Sequence, residues 1–402
     1  MREIVVSGVG CCLVDRVYNH VSFTSEAFSS FLSKERGDGG LSPGHLVFKE
    51  EFETFVKEDF RTILGKITNY KPPDKLSIGG PCIVAMINAA QITENESCSF
   101  RFYGYGGKDD DGKFLMSALK RTPVDTSQYT LTDAATPSTV VLSDPDYERG
   151  HGERIFINSI GAAWNYSPDN LDEDFFSSDI VVFGGTALVP QIHDNLTSLL
   201  KQAKAKGCIT IVNTVFDFRN EKANPNKKWP LGESDESYRY IDLLITDFEE
   251  ALRLSGKRTI DHAMQFFRDK GSNAVIVTNG PNNLRGFSTK SSLFFELGDF
   301  EMPISEEVSR ELKQGRKGDT TGCGDNFAGG VIAGLVLQLQ SKQSPIDLRE
   351  AVAWGVVSGG YTCFYIGGTY FEEYPGEKYN LLLPYYEKYK KQIRTRNEII
   401  RS

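Results

Sequence analysis

Short continuous apolar runs bounded by turn residues recur along the chain. Ile4-Val5-Val6 runs into Gly8-Val9-Gly10, Asp179-Ile180-Val181-Val182-Phe183 stops at Gly184-Gly185, and Cys208-Ile209-Thr210-Ile211-Val212 stops at Asn213. Leu243-Leu244-Ile245 follows Asp242, and Ala274-Val275-Ile276-Val277-Thr278 ends at Asn279-Gly280. Runs of this length without polar alternation predict strands covered on both faces. Between them the apolar positions recur at helical spacing. Over 192–206 they fall at Ile192, Leu196, Leu199, Leu200 and Ala203, with Lys206-Gly207 as a stop. Over 327–339, Phe327, Val331, Ile332, Leu335 and Leu339 make one stripe. The stretch 348–364 is more apolar, with Gly355, Gly359 and Gly360 allowing close packing. Such alternation predicts a parallel sheet with helices on both faces.

Two regions break the alternation. Residues 16–75 are rich in charge and Phe and include Gly37-Asp38-Gly39-Gly40. Residues 100–160 contain half-apolar alternating stretches at 138–142 and 154–157. These predict strands of a small accessory sheet with one wet face. No internal repeat or flexible linker is visible. The expected organisation is one domain over 1–402, with lid and insertion segments at about 16–75 and 100–160.

Composition narrows the function classes. The chain has 402 residues, 40% hydrophobic and 25% charged, which predicts an ordinary globular core. A net charge of −9 disfavours nucleic-acid phosphates. The basic pairs Arg316-Lys317 and Lys227-Lys228 are short and read as solvated loops. The seven cysteines, Cys11, Cys12, Cys82, Cys98, Cys208, Cys323 and Cys363, form no CxxC pair. That argues against a disulfide framework or structural zinc, and for a reducing compartment. His20, His45, His151, His193 and His262 show no metal-binding spacing. Met1-Arg2-Glu3 runs straight into the first predicted strand, unlike a secretory leader. No apolar run reaches the ~18–20 residues of a membrane span. A cytoplasmic location is the expectation.

The most informative stretch is Gly318-Asp319-Thr320-Thr321-Gly322-Cys323-Gly324-Asp325-Asn326-Phe327, a glycine-rich turn opening into the apolar stripe at 327–339. The first N–H groups of a helix lack internal partners and carry the positive end of its dipole. With no side chains at Gly322 and Gly324, they form a cradle for a phosphoryl group. Asp325 falls in that first turn. A carboxylate beside a bound phosphate makes sense if a substrate hydroxyl lies between them, giving up its proton as its oxygen attacks phosphorus.

Asp319-Thr320-Thr321-Gly322-Cys323-Gly324-Asp325 resembles the C-terminal signature of the ribokinase-like (PfkB-type) carbohydrate kinases, D-T-x-G-A-G-D, with Cys323 in the alanine place. Other pieces resemble the family in the same order. Gly8-Val9-Gly10 with Asp15 is similar to its first strand and substrate-binding aspartate, and Gly79-Gly80-Pro81 to its di-glycine motif. The run from Gly104 through Asp109 to Gly112 is similar to its G-x-D-x-x-G segment. Asp242 to Ala251 is similar to its strand and N-x-x-E motif, and Thr278-Asn279-Gly280 to its T-x-G turn.

The resemblance implies a three-layer α/β/α fold with a mostly parallel central sheet and a small β lid. It implies transfer of the γ-phosphate of ATP to a hydroxyl of a small sugar. Asp325 would be the base, and Gly322, Cys323 and Gly324 the anion hole. Asp15, Gly79, Gly80 and Asp109 would face the substrate, and Asn213, Thr278 and Gly280 would approach ATP. Asp247 and Glu250 would position Mg²⁺ through water, and Asp319 and Thr321 match positions that bind K⁺ in some relatives. A homodimer through the lid is the implied assembly.

Three departures bear on the substrate. Val84 stands where the family has a substrate-reading asparagine, Asp247 replaces the asparagine of N-x-x-E, and about 60 residues separate Asp15 from Gly79. A nucleoside or other alcohol therefore stays open as acceptor, as does a non-catalytic binder of the same fold. Two rival motifs fail. Gly107-Lys108-Asp109-Asp110-Asp111-Gly112-Lys113 has P-loop spacing but is followed by Phe114, without the metal-binding hydroxyl. Gly8-Val9-Gly10 lacks the third glycine of a dinucleotide fingerprint, Leu13 standing in its place.

Overall fold

The five apolar runs fold as neighbouring parallel strands. In this computed structural model the described residues are 2–19, 21–35, 38–147, 153–316 and 318–401. His20, Gly37, His151 and Lys317 lie outside them. The large sheet comprises β1 (Ile4–Gly10), β5 (Cys98–Gly107), β6 (Tyr129–Thr132), β9 (Ile180–Gly184), β10 (Ile209–Asn213), β11 (Leu243–Asp247), β12 (Ala274–Thr278), β13 (Leu284–Ser288) and β14 (Gly298–Met302). Its order is β14-β13-β12-β11-β10-β9-β1-β5-β6, parallel except for the antiparallel pairings of β12 with β13 and β13 with β14.

The continuous apolar runs are explained by two cores, one on each sheet face. Ile180, Val182, Ile211, Leu243, Ile245 and Ile276 enter one apolar cluster, and their neighbours Val181, Phe183, Val212, Leu244, Val275 and Val277 enter the other. Successive side chains of a strand point to opposite faces, so both sets must be apolar. The first core is roofed by α3 (Pro81–Ile92), α8 (Cys323–Gln340), α9 (Leu348–Thr362) and α10 (Glu377–Arg401). The second is roofed by α5 (Leu196–Ala205), α6 (Phe248–Ser255) and α7 (Ile260–Asp269).

The single helix expected at 192–206 is two. A short helix at Pro190–Asp194 precedes α5, and Asn195 between them leaves helical geometry at φ −111° and ψ 17°. Its Nδ2 donates to the Gln191 carbonyl at 2.8 Å, a local bond that competes with the backbone ladder.

The small sheet comprises β2 (Leu13–Asn19), β3 (Leu46–Phe48), β4 (Lys75–Gly79), β7 (Ser138–Asp144) and β8 (Glu153–Ser159), in the order β3-β8-β7-β2-β4. The stretches at 138–142 and 154–157 belong to it as expected. The broader segment drawn at 100–160 is divided, because β5 and β6 pair in the large sheet and α4 (Asp110–Leu119) packs on the first core. The long segment between β2 and β4 has a core of its own. Phe23, Phe28, Phe31, Phe52 and Ile63, the last two from α1 (Lys49–Val56) and α2 (Phe60–Thr68), pack on Val140, Leu142, Ile155 and Ile157. Phe23 stacks on Phe28 with ring centroids 5.1 Å apart.

Candidate active site

Two glycines bring β4 against β2. Leu13 pairs with Gly79 and Asp15 with Ser77 in the antiparallel ladder. A Cβ on Gly79 would stand 2.2 Å from Asp15 Oδ2, and one on Gly80, at φ +112°, would stand 2.1 Å from the Cys11 carbonyl. Only glycine permits this approach, and it sets the start of α3 beside Asp15. Asp15 is buried. Burial, then the charges of Asp325 and Asp319, push its carboxyl up to about 8.

The turn before α8 is pinned to the segment after α9. The Gly318 N–H donates to the Cys363 carbonyl at 2.6 Å and the Asp319 N–H to the Tyr365 carbonyl at 3.1 Å. Gly322, the N-cap, has φ +75°, and a Cβ there would stand 2.4 Å from Gly368 Cα. Asn326 Nδ2 locks the same crossing by donating to the carbonyls of Gly322 (2.9 Å) and Gly368 (2.7 Å). The Cys323 N–H makes a long bond to the Thr320 carbonyl at 3.3 Å. Gly324 is exposed, and no atom lies within 4 Å of where its Cβ would be. Its amide and that of Asp325 fall in the first helical turn, where intrahelical acceptors are lacking.

Asp325 is half-buried, and among the described residues nothing donates to its carboxylate or pairs with it. Burial alone raises its carboxyl to about 6. Asp319 differs. Its Oδ1 accepts from the Thr321 N–H at 2.7 Å and its Oδ2 from the Gly367 N–H at 3.2 Å. Thr321 Oγ1 accepts from Arg154 Nη1 of β8 at 3.2 Å. Lys75 Nζ from β4 donates to the Ile366 carbonyl of the same loop. The two side chains expected to serve K⁺ are thus engaged by protein donors, with a lysine ammonium already in the loop.

Asp109, expected to face the substrate, is engaged by protein donors. Its carboxylate accepts from the Gly112 N–H (2.8 Å), the Thr136 N–H (2.8 Å) and Thr136 Oγ1 (2.5 Å). Partial burial works against its ionisation, but these bonds outweigh it and hold the carboxyl below the usual range. It caps α4 and clasps the loop before β7. The sequence shows only the acid, because Thr136 lies 27 positions away.

On the nucleotide side, β10, β11 and β12 end together. Asn213 is buried with Oδ1 unpartnered, 2.7 Å from where a Cβ on Gly184 would be. Thr278 Oγ1 reaches the Thr246 carbonyl at 3.5 Å, and Gly280 turns at φ +51° in open space. Asp247 and Glu250 form a capping box on α6, with the Glu250 N–H donating to Asp247 Oδ1 at 2.8 Å. Burial, then the Asp247 charge, push Glu250 up to about 8 against the pull of hydroxyls from Thr214 and Thr246. A cavity of about 500 Å³ lined by Phe248, Val277, Asn279 and Pro281 opens beside this turn. A second, of about 720 Å³, lies between α1 and the segment holding Ile160 and Trp164.

Arg154, Thr136 and Thr214 were not singled out by sequence. Arg154 sits in an alternating stretch, where a charge is expected on the wet face.

The pfkB family carbohydrate kinase model matches residues 69–373, three quarters of the chain. The chain belongs to the pfkB family. Probable fructokinase-7 of Arabidopsis thaliana is 23% identical over 320 residues, covering 76% of this chain and 83% of the relative. Among solved structures, adenosine kinase from Schistosoma mansoni matches with a TM-score of 0.67 and 18% identity, over 91% of this chain and 97% of that one. Ribokinase from Thermotoga maritima matches with a TM-score of 0.61 and 18% identity, over 95% and 99%. The fold is ribokinase-like. This pfkB-family chain is a phosphotransferase acting on a hydroxyl, a kinase with ATP as donor. No helix among the described residues is long and apolar enough to cross a membrane.

Proposed function

We propose that the chain is an ATP-dependent sugar kinase in which Asp325 removes the acceptor proton. The observation that carries this is the unpartnered Asp325 carboxylate in the first turn of α8, beside the open Gly324. Its neighbour Asp15 supports the reading. With carboxyls near about 8 and about 6, Asp15 holds a proton at neutrality while Asp325 can accept one. Asp15, Gly79 and Gly80 hold the acceptor. The amides of Gly324 and Asp325, set by the Gly322 turn and Cys323, face the γ-phosphate. Asn213, Thr278 and Gly280 line the approach of ATP. Residues 1–402 act as one domain, the small sheet being a lid that excludes water. Arg154 carries a positive charge from that lid to the turn. Association of two copies through the lid and a cytoplasmic location belong to the same reading.

Mg²⁺ fits the pair Asp247 and Glu250. Both offer hard oxygen donors, and the raised carboxyl of Glu250 marks a place where positive charge is wanted. Asp247 and Glu250 would hold the ion, which would supply positive charge to the phosphate oxygens. Asp247 and Glu250 keep their own geometry through the capping box.

A nucleoside acceptor is the second reading. The cavity lined by Ile160 and Trp164, the latter 51% exposed, offers a flat apolar wall, and Val84 supplies no sugar-reading amide. ADP release measured over panels of sugars and nucleosides with ATP and Mg²⁺, with and without K⁺, separates the readings. Turnover confined to nucleosides would overturn the first, and no turnover with any acceptor would overturn both.

A further inference from the structure

Cys323 and Cys363 meet at the turn that faces the phosphate site. Cys323 is the first residue of α8, and Cys363 caps the C-terminal end of α9. Their sulfurs are 3.5 Å apart and both residues are half-buried, whereas Cys11, Cys12, Cys82 and Cys208 are buried. The backbones around the two sulfurs are already joined, since the Gly318 N–H donates to the Cys363 carbonyl at 2.6 Å. Behind them α9 presents Gly359, where a Cβ would stand 2.8 Å from the Cys323 carbonyl.

We propose that Cys323 and Cys363 form a reversible disulfide on exposure to a peroxide, and that this bond switches the phosphate cradle off. The sulfurs must close from 3.5 Å to about 2.05 Å, a movement of side-chain rotation size. One sulfur attacks a peroxide oxygen, becoming a sulfenic acid as the first water leaves. The second sulfur then attacks the sulfenic sulfur, forming the S–S bond and releasing the second water. Two electrons pass from the thiol pair to the peroxide, and a dithiol reductant returns them by exchange. Cys323 lies between Gly322 and Gly324 and two residues before Asp325. Drawing its side chain toward α9 tilts the amides and the carboxylate together, and misplacement of about 1 Å at such a site costs on the order of a hundredfold in rate.

The switch-off rests on the phosphoryl-transfer reading above, while the bond itself does not. The test takes the full-length protein, titrated with hydrogen peroxide and then with dithiothreitol. Non-reducing peptide mapping should show a 323–363 crosslink that disappears on reduction. ADP release with the best acceptor from the panel should fall at least tenfold and recover with the reductant. Cys363→Ser should keep its reduced activity and lose the sensitivity, whereas Cys98→Ser should remain sensitive. Absence of the crosslink at full peroxide consumption would overturn the proposal and leave the kinase reading intact. So would a crosslinked protein that is fully active, or a Cys363→Ser protein that is still inactivated. If the reduced protein turns over no acceptor, the kinase reading and the switch-off fall together, while the mapping still decides the bond. Should Cys363→Ser fail to fold, mapping and activity recovery on the native chain decide alone.

Discussion

Two helices of this protein carry an aspartate at or near their start after a glycine-bearing segment, and the two acids have opposite fates. Asp109, before α4, is surrounded by donors from Gly112 and Thr136, and its carboxyl is held below the usual range. Asp325, in the first turn of α8, receives no donor among the described residues, and burial lifts its carboxyl to about 6. The same residue type, the N-cap of one helix and the third residue of the other, is a clasp in one case and an available base in the other. The number of protein donors reaching the carboxylate makes the difference, since each bond to the charged form lowers its basicity.

Exchanging Asp325 for Asn is the sharpest way to break this comparison. Loss of a general base costs about 10²–10⁴-fold, so kcat of Asp325→Asn should fall by at least about 10²-fold. Its melting temperature should hold or rise, by about 1–3 °C. The sign follows from the raised carboxyl. The folded state binds the proton more tightly than the unfolded one, so ionisation opposes folding once pH passes the ordinary aspartate range toward about 6. Removing the charge relieves that cost at neutral pH. A wild-type rate in this variant would end the assignment.

The pH profile is next in size. kcat/KM should fall by about tenfold per unit below about pH 6, where Asp325 takes up its proton. A flat profile between pH 5 and 7 would place the base elsewhere.

Arg154→Ala should lower kcat by roughly five- to tenfold, a modest charge contribution at a closing lid. Thermal stability should stay near wild type, because the bond to Thr321 is one hydrogen bond between the small sheet and the turn before α8. A loss of stability without loss of rate would mark Arg154 as a brace only.

The smallest effect on rate belongs to Asp109→Asn. It should leave kcat within about threefold and lower stability by about 1–2 kcal/mol, the usual scale for a lost cap and its charge-assisted bonds. Its contribution has the opposite pH sign. With the carboxyl held low in the fold, the stabilisation is present above the ordinary aspartate range and is lost as pH falls through the lowered value. A large drop in kcat with unchanged stability would make Asp109 a substrate residue after all and erase the contrast with Asp325.

Much of this was legible in the chain. The large sheet was readable because each strand carries its own evidence, an apolar residue at every step for two cores. The signature at 319–325 was readable because its glycines are needed at fixed places, as φ +75° and the 2.4 Å approach to Gly368 confirm at Gly322. The break at Asn195 was hidden, because a side-chain bond to Gln191 leaves the apolar spacing on either side intact. The extent of the small sheet was only partly legible, since β2 pairs with β4 across an insertion and with β7 from another segment.

The sequence by itself determined the two-faced central sheet and the glycine turn that opens α8, because both depend on residues adjacent along the chain. Tertiary structure alone decided which acids are free, which cysteines touch and which arginine reaches the turn. Those depend on partners up to 167 residues away, and a hydrogen bond acts through distance in space, of which one-dimensional spacing carries no record.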